Sequence, residues 1–185
     1  MTHRVCPWWL GYFLANPLRR LVHDPSAILR PFVSEGMTVV EPGPGMGYFT
    51  MELARLVGRS GKVVAIDVQP KMLAELRRRA EMAGLLGRID ARTGPGDGMG
   101  LDDLQGQVDF VLAFAVVHEL PGPGKFFAEA STALKPGCRL LLAEPGFEVS
   151  EREFDATLHV AAQNGFRVDS RPAIRWSRSA VLVKA

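Results

Sequence analysis

The 185-residue sequence has little cysteine, little net charge and no long apolar run. Its 2 cysteines, Cys6 and Cys138, exclude a disulfide framework and a four-cysteine zinc site. They suit a reducing compartment, so a cytoplasmic location is expected. Apolar runs such as Phe110 to Val117 fall far short of the ~20 residues that a spanning helix needs. Trp8 to Ala15 is apolar, but Arg19 and Arg20 follow it and no small-x-small site precedes them, so no signal peptide is expected. A net charge of +2 does not point to nucleic acid by itself. Repeats and low-complexity linkers are absent. What is present is 47% hydrophobic and 23% charged residues, the composition of one globular domain. Glycine is plentiful, at 19 residues. The charge is uneven: net +2 over residues 1–35, −4 over 36–165 and +4 over 166–185. Such an imbalance reads first as solvated surface.

From Met37 onward short apolar runs alternate with amphipathic stretches. Strands are expected at 38–41, 63–66, 89–92, 108–114, 139–143, 166–170 and 180–183. Helices are expected between them, one beginning at about Tyr48 and one opening at Pro70 with Met72, Leu73, Leu76, Ala80 and Ala83 on its apolar face. A third carries Phe126, Phe127, Ala130 and Leu134, and Ser150-Glu151-Arg152-Glu153 has the form of a capping box for a fourth. The alternation predicts an α/β fold: a doubly wound, Rossmann-like, seven-stranded sheet with helices on both faces. The link before the last strand is too short for a crossover, so that strand should run antiparallel to its neighbour. Ligands of such a sheet bind at the carboxyl ends of its strands.

The first strand runs into Glu41-Pro42-Gly43-Pro44-Gly45-Met46-Gly47. Alternating glycines let a loop turn sharply and let a ligand touch the backbone. The spacing is G-x-G-x-G, not the G-x-G-x-x-G of a dinucleotide site, and no phosphate-cradling G-x-x-x-x-G-K-[ST] element is present. A carboxylate at Glu41 would repel a pyrophosphate and attract an ammonium or sulfonium. Asp67 ends the second strand, where a carboxylate can accept both hydroxyls of a ribose or instead cap the Pro70 helix. Asp97 follows the third strand, flanked by Gly96 and Gly98, which leave room for a flat ring. It is placed for an adenine amino group or, equally simply, for a turn.

These motifs, with Val108-Asp109-Phe110-Val111 and Leu134-Lys135-Pro136-Gly137-Cys138, resemble the class I S-adenosylmethionine-dependent methyltransferases. The order matches from about Ile28 to Ala185, in the manner of the ubiquinone/menaquinone-biosynthesis and arsenite methyltransferases. The resemblance implies S-adenosylmethionine as cofactor and S-adenosylhomocysteine as product. It implies a cofactor site of Glu41, Gly43, Gly45, Gly47, Asp67, Val68, Met72, Asp97, Gly98 and Phe114. The loop would hold the methionine part, Asp67 the ribose and Asp97 the adenine. The sequence departs from the pattern at Phe114-Ala115, where a small or polar residue is usual.

Methyl transfer depends mostly on alignment, so a binding site should be plainer than a catalytic machine. His118, after strand four, is the candidate base, with pocket lining as its alternative. Glu144, after strand five, would meet a cationic substrate or cap a turn. Residues 1–30 precede the core of 31–185, and Trp8, Trp9 and Tyr12 are the candidate acceptor wall, as a lid. A dimer contact and a membrane-surface anchor are the other readings of that segment. The expected partner is a small-molecule acceptor, with no metal and no nucleic acid. Arsenite is not the expected acceptor, because Cys138 begins strand five, away from the site. Competing readings are a nucleic-acid or protein methyltransferase and a cofactor-binding regulator without activity.

Overall fold

The computed structural model describes residues 22–96 and 98–185. Seven strands form one mixed sheet in the order β3-β2-β1-β4-β5-β7-β6. They are β1 (Thr38–Pro42), β2 (Lys62–Asp67), β3 (Ile89–Thr93), β4 (Val108–Phe114), β5 (Leu134–Pro145), β6 (Phe166–Ser170) and β7 (Ser177–Lys184). The chain divides into two compact units at Gly94 and Pro95.

In the first unit β1, β2 and β3 are parallel. Val39 and Val40 of β1 and Val63 to Ile66 of β2 are buried, as an apolar strand covered on both faces requires. β3 is polar and only part-buried, which suits a strand at the sheet edge. Helices α1 (Pro25–Leu29), α2 (Thr50–Leu56) and α3 (Pro70–Met82) lie between or before these strands. Asp24 caps α1 by accepting from Ser26 N. The α3 face of Met72, Leu73, Leu76 and Ala80 is buried as its spacing predicts. Ala83, expected on that face, is exposed, because the helix has ended there and Gly84 takes a left-handed φ of 66°. The helix expected at Tyr48 begins two residues later, at Thr50.

In the second unit β4 and β5 are parallel, while β7 is antiparallel to both β5 and β6. Helices α4 (Pro123–Ala133) and α5 (Glu151–Gln163) pack on each other. Phe126, Phe127 and Phe154 are fully buried, and Phe127 meets Phe126 and Phe166 edge to face, with ring centroids 5.0 and 5.9 Å away. Ser150 and Glu153 form the expected capping box of α5. Leu134, expected at the end of α4, is already extended and opens β5. Pro136 biases the residue before it away from helix, so the helix stops two residues earlier. The segment between β6 and β7 spans residues 171–176, too short to return the chain for a parallel strand.

Candidate active site

In the first unit the loop after β1 is built from backbone. Gly43 N donates to Ile66 O at 2.8 Å, which pins the loop to β2 where β1 ends. Gly43, Gly45 and Gly47 all have positive φ, at 65°, 54° and 86°. Gly45 and Gly47 need that freedom for different reasons. A Cβ on Gly47 would press to 3.2 Å from Leu76 Cγ, so this glycine lets the loop sit on α3. A Cβ on Gly45 would meet no atom within 4 Å. The face of Gly45 therefore opens onto space that a ligand can fill against bare backbone.

Asp67 stands beside it, 8% exposed. One carboxylate oxygen accepts from Gln69 N at 2.9 Å and the other from Gly45 N at 3.3 Å. Gly94 N donates to the Asp67 carbonyl at 3.0 Å, so the acid is tied to the ends of β1, β2 and β3. Burial pushes its carboxyl pKa up, and the amides of Gln69, Gly45 and Val68 only partly oppose this. The helix N-cap is Gln69, so Asp67 braces the turn before α3 and does not cap it. Three amides leave one of its four lone-pair sites for a further donor. A ligand hydroxyl fits this arrangement. Glu41 is buried at the end of β1. Val68 is exposed, and Met72 faces the core of its unit.

In the second unit side chains gather at the ends of β4 and β5. Phe114 is buried at the end of β4, and Ala115 follows with a left-handed φ of 54°. The Ala115 amide donates to Ala143 O at 2.7 Å, which fixes this strained step to β5. A short 3-10 turn, Val117–Glu119, carries His118. Glu144, 1% exposed on β5, accepts from Val117 N at 2.8 Å through Oε1. Its Oε2 takes a short hydrogen bond from His118 Nδ1. Glu148 Oε2 lies 3.2 Å from His118 Nε2. Burial draws the His118 pKa down, but the hydrogen bond and charge of Glu144, with Glu119 and Glu148, outweigh it and leave the value raised. Glu144 thus caps a turn, one of its two expected roles, and orients a histidine at the same time.

Gly98 serves a different neighbour from the one expected. A Cβ there would collide with the Glu129 carboxylate of α4, whose Oε2 accepts from Met99 N at 2.6 Å and Gly100 N at 3.0 Å. The room beside Gly98 is filled, whereas a Cβ on Gly96 would meet nothing within 4 Å. Asp97, Trp8, Trp9, Tyr12 and Cys6 lie outside the described residues. Glu148 is absent from the sequence analysis, since a loop carboxylate has no periodicity or motif that marks it.

Residues 39–137 match the model of a methyltransferase domain family. The chain belongs to this family. It is 27% identical to a SAM-dependent methyltransferase of known structure from Aquifex aeolicus, with a TM-score of 0.86 over 98% of this chain and 100% of that one. It is 28% identical over 137 residues to the ubiquinone/menaquinone biosynthesis C-methyltransferase UbiE of Cronobacter sakazakii, covering 72% of this chain and 54% of the relative. An uncharacterized 37.1 kDa protein of a Streptomyces fradiae transposon is 31% identical over 61% of this chain and 31% of its own length. The chain thus spans about a third to about half of these two curated relatives. The fold is that of the class I S-adenosylmethionine-dependent methyltransferases, and S-adenosylmethionine is the cofactor this membership implies. Among the described residues no helix is long and apolar enough to cross a membrane.

Proposed function

We propose that the chain transfers a methyl group from S-adenosylmethionine to a small or lipophilic acceptor, with His118 as general base. The observation that carries this reading is the open face of Gly45 beside the buried carboxylate of Asp67. When bound, the cofactor supplies a methyl group on a positively charged sulfur. The loop of Gly43, Gly45 and Gly47 would hold its amino-acid part and Asp67 its ribose. On the family pattern Asp97 is assigned to the adenine amino group, the Phe114 main chain to the cofactor's amino group, and Glu41, Val68 and Met72 to the cofactor's surroundings.

His118 suits a base by its fixing. Glu144 holds Nδ1, which leaves Nε2 as the working nitrogen. A histidine so oriented takes a proton from an acceptor hydroxyl or amine as that atom attacks. The acceptor wall is assigned to Trp8, Trp9 and Tyr12. Calorimetry with S-adenosylmethionine and S-adenosylhomocysteine tests the cofactor half. Incorporation of labelled methyl into a metabolite extract tests transfer. Tight NADH binding without binding of the methyl donor would overturn the reading.

A further inference from the structure

His118 is enclosed by carboxylates on three sides. Glu144 faces it from β5, Glu148 from the turn after β5, and Glu119 from its own 3-10 turn. Glu144 meets Nδ1 and Glu148 meets Nε2, so each ring nitrogen faces an acceptor, and the imidazolium, which has a donor on both, is the form that fits the cluster. An imidazolium has no lone pair and cannot act as a base. A proton must leave Nε2 before the histidine can work, and the geometry shows where it can go.

The two direct partners differ in mobility. Glu144 is part of a core strand, is buried, and also holds the Val117 amide, so it stays. Glu148 is on a turn, and its side chain is 52% exposed. Its backbone is held, since Glu148 N and Val149 N both donate to Pro145 O, at 3.1 and 2.9 Å. Among the described residues the Glu148 side chain makes only the 3.2 Å contact to Nε2, so rotation about its side-chain bonds is enough to free that nitrogen.

We propose that Glu148 is a proton-unloading arm for His118: it takes the Nε2 proton, turns out to water to release it, and leaves Nε2 open for an acceptor that carries an ionisable O–H or N–H. This rests on the methyl-transfer reading only for the identity of the incoming group. In the first step the Nε2–H bond breaks and a Glu148 O–H bond forms, so cation and anion become a neutral pair. Glu148 then gives its proton to water. In the second step the acceptor O–H or N–H bond breaks, Nε2–H reforms, and the acceptor keeps the electron pair. The sum is one proton moved from acceptor to solvent, with His118 restored.

The direct test is the exchange rate of the His118 Nε2 proton with water, measured by NMR on the isotope-labelled full chain without cofactor or acceptor. His118→Gln assigns the signal among the 4 histidines. Glu148→Ala should slow exchange at least tenfold, and added acetate, as a free carboxylate, should restore it. Glu148→Gln, which keeps the shape, should be as slow as Glu148→Ala and should lower the His118 pKa. Exchange that is unchanged or faster in Glu148→Ala overturns the proposal, since Glu148 then only shields the ring. Slow exchange that acetate does not restore overturns it as well. Because no cofactor is present, this result is separate from the calorimetry that tests methyl-donor binding.

Discussion

The carboxyl ends of β1 and β2 and those of β4 and β5 are built by opposite means. The first pair presents backbone: three glycines with positive φ and one braced aspartate. The second pair presents charge: a histidine between Glu144 and Glu148. Backbone recognition tolerates almost no side chain, whereas a charge cluster tolerates change of shape but not of protonation. The first is therefore expected to fail on steric substitutions and the second on pH.

Gly45→Val is the strongest way to break the first half. The valine would occupy the open face of Gly45, so binding of S-adenosylmethionine should fall below detection by calorimetry. The fold should survive, because only the left-handed backbone is strained, at about 1–2 kcal/mol. A folded variant that binds normally would show that Gly45 serves chain geometry alone. Phe127→Ala sets the scale for the second half. It removes a fully buried ring and should lower unfolding free energy by about 3–5 kcal/mol in a denaturant titration. Asp67→Ala should weaken cofactor binding by roughly 1.5–3 kcal/mol, the worth of a charged hydrogen bond, read by calorimetry beside the parent. Ser150→Ala, away from both ends, should cost about 1 kcal/mol of stability through the lost cap of α5.

The smallest effect sharpens the contrast most. His118 has a raised folded pKa, so its protonated form is favoured by folding. That contribution is complete below the unfolded value of about 6.5 and is lost as pH rises through the folded value. The stability difference between the parent and His118→Gln should thus be largest near pH 6 and shrink towards pH 9, measured by melting in matched buffers. Asp67→Asn, which keeps His118, should retain this alkaline loss. A parent-to-His118→Gln difference that stays constant with pH would mean that folding leaves the His118 pKa unchanged.

Much of this was legible in the residues. The loop of Gly43, Gly45 and Gly47 is local, so its turn and its approach to a ligand follow from consecutive residues. Asp67 is legible because a strand end is marked by the apolar run before it. The strand assignments hold for the same reason, and β7 is antiparallel because six residues cannot form a crossover. What composition and spacing determined is the α/β alternation, the class of sheet and the glycine loop. Only the tertiary structure decided which charges His118 meets. Its two carboxylates come from positions 144 and 148, across a whole helix and strand. It also decided that the space at Gly98 belongs to Glu129, 31 residues on. Local sequence fixes backbone geometry over a few residues. Which distant charges meet depends on strand pairing and register, which no single segment of the chain contains.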